Sequence, residues 1–369
     1  VYIFEKTENE MSAVYVAYES PVANEDSSSH GISHLLEHII CESTTDIEEE
    51  YDENCLETNA FTSDNYVVFY LSGLSEKLAK YKDDFIRRIT KYEPKEEDFA
   101  KQLPIVTQEY NDYFQDDFKS TYTNYLSKFF GYICPIGTKE ALVNLKFQDV
   151  IDFKNKYFSA PSKILVVDKE DNVSRLNDKW ANLTPFKKTY NYINKDCEVN
   201  DLSVGFVSSS STIYSSSDDF NLNIIAKMLG YGLKSPLYQN LREKSSLCYW
   251  VSCFDQTVRD GNILIIATST KDENIQKIED GIKEIIFNPT KYLTEERFNL
   301  MLNNTKTRIK MNQQYKHEFG YLDPYFNPTL SLSKNIDKIN YTDVMNYYTR
   351  NIGKQEMWTF ANQKSLYLE

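Results

Sequence analysis

Histidine is scarce in this chain: four among 369 residues, namely His30, His34, His38 and His317. The six cysteines (Cys41, Cys55, Cys134, Cys197, Cys248 and Cys253) offer no C-x-x-C pair. That usage points to the cytoplasm or another reducing compartment, with Cys248 and Cys253 flanking an expected strand as packing residues. No apolar run approaches the roughly 20 residues a bilayer-spanning helix needs, so no membrane span is expected. Basic residues are outnumbered, 41 against 55 acidic ones, for a formal net charge of −14. Such a balance disfavours nucleic acid and anionic membrane as partners. It suits basic peptides or proteins, and it equally serves plain solubility.

What the chain does have is material for a large interior. Its 41% hydrophobic and 14% aromatic residues exclude a disordered chain. At 369 residues it exceeds one ordinary core, so two domains are expected. Strands are predicted over 13–19, 65–72 and 163–169, and helices from near Gly31, around 47–56, over 75–92 and over 95–115. The serines of PVANEDSSSHG can cap the first of these helices, and Pro104 should kink or loosen the last. Residues 188–203 are polar and weakly periodic, which divides the chain into a first domain over 1–187, a linker over 188–200 and a second domain over 201–369.

The second domain begins again with a strand in SVGFVS, a serine-rich loop over 208–217 and a helix in DDFNLNIIAKMLGYG. A helix in SPLYQNLREK, strands in LCYWVSCF and NILIIATS, and two long helices follow. The first half has the same order of elements, an internal duplication of units of roughly 180 residues. The expected class is α+β: two related α/β sandwich-like domains, each a mixed or antiparallel sheet with packed helices.

Chemistry concentrates in His34-Leu35-Leu36-Glu37-His38. Positions i, i+3 and i+4 share a helix face, so both imidazoles and the carboxylate point the same way. Two neutral histidines one turn apart can share a Zn²⁺, and the glutamate beside them can take a proton from water. This is the H-x-x-E-H order. Ile32, Leu35, Leu36, Ile39 and Ile40 make the rest of the helix apolar, a buried helix with a polar stripe. A buried, hydrogen-bonded histidine is the plain alternative. Glu109 is a candidate third ligand 71 residues beyond His38, but spacing does not separate it from Glu96, Glu97, Asp98 or Asp112. His30 reads as a solvated loop residue, and His317 has no partner motif.

Taken together, these stretches resemble the pitrilysin or insulinase family of zinc metallopeptidases, of the short two-domain type, along most of the chain. GISHLLEHI is similar to the family's zinc helix, PIVTQEYND to the segment carrying its distal glutamate, and NAFTSDNYVVFYL to its substrate-pairing edge strand. The resemblance selects Glu109 as third ligand of one zinc per chain and Glu37 as general base. It implies that Asn59, Ala60 and Phe61 bind extended substrate. MLGYGLKSPLYQNLREKSSLCYWV is similar to the family's non-zinc domain, which implies that Arg242 and Tyr249 hold substrate or stabilise the oxyanion. Three departures stand out: a shorter gap between His38 and Glu109, Gln102 where a second glutamate is usual, and Ser246 where glycine is usual. The implied fold is half of a clamshell. The implied assembly is a homodimer, or a heterodimer with a related subunit, in which Arg242 and Tyr249 serve the partner's zinc. The implied activity is endoproteolysis of peptides or unfolded segments, with an inactive scaffold subunit as the alternative.

Overall fold

Alternation in MSAVYVAYE sends Val14, Val16 and Tyr18 to one face of a strand and Ala13, Tyr15 and Ala17 to the other, and both sets are buried. A strand buried on both faces belongs inside a sheet. The computed structural model, which describes residues 2–19, 21–63, 66–130, 134–170, 218–258, 261–312 and 336–352, places it there. The predicted SVGFVS strand, the 208–217 loop, the linker and His317 lie outside the described residues.

The described chain forms two units. In the first, β1 (Tyr2–Lys6), β2 (Met11–Glu19), β3 (Glu57–Thr62), β4 (Tyr66–Leu74) and β5 (Lys163–Asp168) make one sheet in the order β1-β5-β2-β4-β3. Only the β1–β5 pair is parallel. Helices α1 (Ile32–Cys41), α2 (Glu48–Glu53), α3 (Ser75–Lys91) and α4 (Glu96–Gln115) precede α5 (Asp117–Phe130), α6 (Lys139–Asn144) and α7 (Phe147–Tyr157). Leu35, Leu36 and Ile39 of α1 and Leu78, Phe85 and Ile86 of α3 pack on one face of the sheet with Val14, Val16 and Phe69. The strand β1 was not expected from the sequence. Pro104 sits inside α4, which runs on through it.

A buried ion pair ties α3 to the sheet. Lys82 Nζ lies 3.1 Å from Asp168 Oδ2, with the two side chains 4% and 6% exposed, and Ser12 Oγ donates to Asp168 Oδ1. Removing one partner strands the other charge in a dry interior, so Lys82→Met is expected to cost roughly 3–5 kcal/mol in urea denaturation.

In the second unit, α8 (Asp218–Gly230) packs on a hairpin of β6 (Trp250–Val258) and β7 (Gly261–Ser269), whose register runs from Trp250↔Ser269 to Val258↔Gly261. Helices α9 (Ile275–Ile286), α10 (Pro289–Tyr292), α11 (Glu295–Asn312) and α12 (Tyr341–Asn351) complete it. Its core joins Ile225, Leu229, Leu264, Ile266, Ile282 and Tyr348. Helix α5, assigned to the first domain by the sequence reading, groups with this unit. Its Tyr122 ring lies 6.2 Å from Phe254, an aromatic contact that chain order does not reveal. The α+β class and the pair of α/β units match the expected architecture. Among the described residues, no helix is long and apolar enough to cross a membrane.

Candidate metal centre

The apolar sides of α1 hold it against the sheet, which leaves the stripe His34, Glu37 and His38 beside α4. The start of α1 is fixed by backbone and charge. Gly31, at φ +97, lies so close to Gly137, at φ +90, that a Cβ on Gly137 would fall 2.7 Å from the Gly31 Cα. The loop serines do not cap the helix. Ser28 and Ser29 donate to Asp26 Oδ1 at 2.6 and 3.0 Å, closing a turn of their own. The cap is instead the Glu25 carboxylate, which accepts the N–H groups of Gly31 and Ser33, both at 2.9 Å. Unpaired amides at the positive end of a helix favour such an anion.

Burial pushes the Glu25 carboxyl up to about 7, against the lowering effect of those hydrogen bonds. A folded-state value above the ordinary 4.5 makes the group's contribution complete below that pH. The contribution is then lost as pH rises through about 7. Glu25→Gln is therefore expected to gain stability relative to wild type between pH 4.5 and 7, read as a difference of urea midpoints.

On α4, Gln102, Val106 and Glu109 share one face at i, i+4 and i+7. Glu109 Oε2 lies 3.5 Å from His34 Nε2 and 3.5 Å from His38 Nε2. One ligand atom from each residue lies within 4.8 Å of the others. A tetrahedron with zinc–ligand bonds of roughly 2.0–2.1 Å has edges of about 3.3 Å, close to the two separations of 3.5 Å between Glu109 and the histidines. Burial, and then the neighbouring His38, push His34 down to about 4, which keeps its imidazole neutral. His30, in the loop before α1, is half-buried rather than fully solvated, and burial lowers its imidazole below the ordinary value. It is not among the converging groups.

Glu37 is 7% exposed. Burial, and more weakly the Glu109 charge, push its carboxyl up to about 7, while a hydrogen bond from Thr62 Oγ1 to Oε2 opposes them. Thr62 was not singled out in the sequence, although the alternation of β3 carries the signal. Ala60 packs toward the α1 side of the sheet and Phe61 toward the other, so Thr62 faces α1 again. Gln102 Oε1 lies 3.2 Å from His38 Nδ1, and Gln102 Nε2 donates to Glu42 Oε1.

Asn59, Ala60 and Phe61 sit on β3, at the edge of the sheet opposite Tyr70, Phe69 and Val68. Asn59 is thus a strand residue, and its Oδ1 accepts the Ala60 N–H at 2.8 Å.

Arg242 and Tyr249 belong to the second unit. Arg242 lies on a π-helix (Tyr238–Lys244), with its guanidinium 4.8 Å from the Tyr238 ring and 5.3 Å from that of Tyr249. Tyr249 is 79% exposed. The helix closes with Ser246 N–H on the Arg242 carbonyl and Leu247 N–H on that of Leu241, which puts Ser246 at φ +50. That left-handed position favours glycine and accounts for the residue usual there.

A sequence profile of the insulinase family (peptidase family M16) matches residues 1–130, and one of the peptidase M16 inactive domain matches residues 144–305. The chain belongs to this family. Its relatives include a Rickettsia felis protein named an uncharacterized zinc protease, 27% identical over an aligned length of 325, with 80% of this chain and 77% of that one covered. A protease from Helicobacter pylori superposes with a TM-score of 0.79 at 18% identity, over 95% of this chain and 94% of its own. A chain of complex III2 from Candida albicans superposes with a TM-score of 0.70 at 13% identity, over 97% and 92%. At such identities the two structures show the insulinase fold and nothing of activity.

Proposed function

We propose that this member of the insulinase family is a zinc-dependent endopeptidase acting on peptides or unfolded segments. The observation that carries the reading is the 3.5 Å spacing of His34 Nε2 and His38 Nε2 from Glu109 Oε2, with the Glu37 carboxyl beside them. Zinc held by the three residues would supply a Lewis acid that acidifies water and polarises a peptide carbonyl. Glu37 takes the proton of the attacking water and then passes it to the leaving amine, roles suited to a carboxyl near 7. Thr62 fixes that carboxylate through Oε2 and leaves Oε1 for the water. The β3 edge at Asn59, Ala60 and Phe61 receives an extended chain through main-chain hydrogen bonds, which selects for unfolded substrate over a tight sequence. The net charge of −14 favours basic peptides.

Arg242, in cation–π contact with Tyr238 and Tyr249, and the exposed Tyr249 complete a site by stabilising the oxyanion or holding substrate. The zinc cluster lies in the first unit and this pair in the second, and we assign the pair to the zinc of a second copy in a homodimer. Five cysteines are free thiols among the described residues, in keeping with a reducing compartment.

An unstructured basic peptide carrying a fluorophore and quencher tests the reading. Zinc-loaded wild type should cleave it, chelation should abolish cleavage, and one equivalent of zinc per chain should restore it. Cleavage untouched by chelation, or none at full zinc loading, would overturn the reading and leave a non-catalytic subunit.

A further inference from the structure

A chain of hydrogen bonds leads away from the zinc cluster and ends on a carboxylate that catalysis does not use. His38 Nδ1 meets Gln102 Oε1 at 3.2 Å, Gln102 Nε2 donates to Glu42 Oε1, and Lys101 Nζ grips Glu42 at 2.7 and 2.9 Å. Gln102 is 7% exposed and the Glu42 side chain 11%, whereas that of Lys101 is 58% exposed. Resting on the metal-site reading above, we propose that Glu42 is a positioning residue: through the Gln102 carboxamide it holds His38 in the tautomer whose Nε2 lone pair faces Glu109.

The donor and acceptor inventory drives this. A carboxylate only accepts, so the NH₂ of Gln102 must face Glu42 and its carbonyl must face His38. That carbonyl also only accepts, so His38 Nδ1 carries the proton. A neutral imidazole has one N–H, which leaves Nε2 bare toward Glu109 and able to bind a metal. With the Glu42 carboxylate gone, the carboxamide is free to turn over. Its NH₂ would then face Nδ1, the proton would move to Nε2, and that nitrogen could not ligate. His34 has no equivalent device, since its Nδ1 is buried without a partner among the described residues. Orientation of the pair therefore depends on His38. Lys101 is largely exposed, so it adds little energy and serves to hold the carboxylate in place.

Zinc affinity is read by competition with a chromophoric chelator at pH 7.5 for wild type, Glu42→Ala and the exchange Gln102→Glu/Glu42→Gln. Glu42→Ala should bind zinc about tenfold more weakly, the effect usual for a group that orients a ligand. The exchange puts the carboxylate directly on His38 and should bind within about threefold of wild type. Long-range ¹H–¹⁵N spectra of metal-free, histidine-labelled protein give a second readout. His38 should be protonated on Nδ1 in wild type and in the exchange variant, and should populate both tautomers in Glu42→Ala. If Glu42→Ala does not fold, the exchange variant decides: binding more than tenfold below wild type, or a protonated Nε2, overturns the proposal. Unchanged affinity and tautomer in a folded Glu42→Ala also overturn it, while leaving the metal site intact. Wild type that binds no zinc overturns the metal site itself.

Discussion

Glu37→Gln is expected to lower the turnover of peptide hydrolysis by roughly 10³-fold, within the range a positioned proton-transfer group contributes. Zinc content should stay at one per chain, because Glu37 is not among the three groups that converge. The amide keeps the size of the side chain and still accepts the Thr62 hydroxyl, but it cannot take a proton from water. Stability separates this result from a loss of folding. Burial raises the carboxyl to about 7 in the metal-free protein, so the stability Glu37 contributes is present below pH 4.5 and lost as pH rises through about 7. A neutral amide escapes that loss, and the variant should be at least as stable as wild type at pH 8. A fall in turnover smaller than about tenfold would mean that another group acts as the base.

Activity regained on mixing two inactive variants is the second expectation. Glu37→Gln lacks the base in the first unit and Arg242→Ala lacks the guanidinium in the second, so each homodimer should be inactive or nearly so. If Arg242 serves the partner's zinc, a mixed dimer holds one site with both groups intact. Random exchange makes half of the dimers mixed with one good site in two, so about a quarter of wild-type activity should return. If both groups serve one chain's site, every site in the mixture lacks one of them and no activity returns. A protein that is monomeric and fully active by size-exclusion chromatography with light scattering would equally remove the composite site.

The legible parts of the chain were those with a strong local period. The alternation of MSAVYVAYE, the apolar faces of the helices over 32–41 and 75–91, and the His34, Glu37 and His38 stripe follow from side-chain direction alone. Glu109 was different. Nothing local sets it apart from Glu96 or Asp112, and the packing of α1 on α4 decides which carboxylate reaches the histidines. The groups that steady the site were least visible. Glu25 caps α1 from six residues before Gly31, Glu42 reaches Gln102 across 60 residues, and Tyr122 joins Phe254 across a longer stretch still. Each is a single tertiary contact with no periodic signature. Gln102 and Ser246 first stand out as departures from a family pattern. The structure gives each a physical setting, an amide between a histidine and a carboxylate and a left-handed helix end.

Zinc stoichiometry and affinity of wild type and Glu109→Gln, measured on metal-stripped protein titrated with zinc against a competing chelator, test the central claim most directly. A site built from His34, His38 and Glu109 predicts one zinc per chain in wild type. In Glu109→Gln, where a neutral amide replaces the only anionic ligand, it predicts binding weaker by about 10²-fold or more. Wild type that takes up no zinc, or Glu109→Gln that binds it as tightly as wild type, would contradict the account.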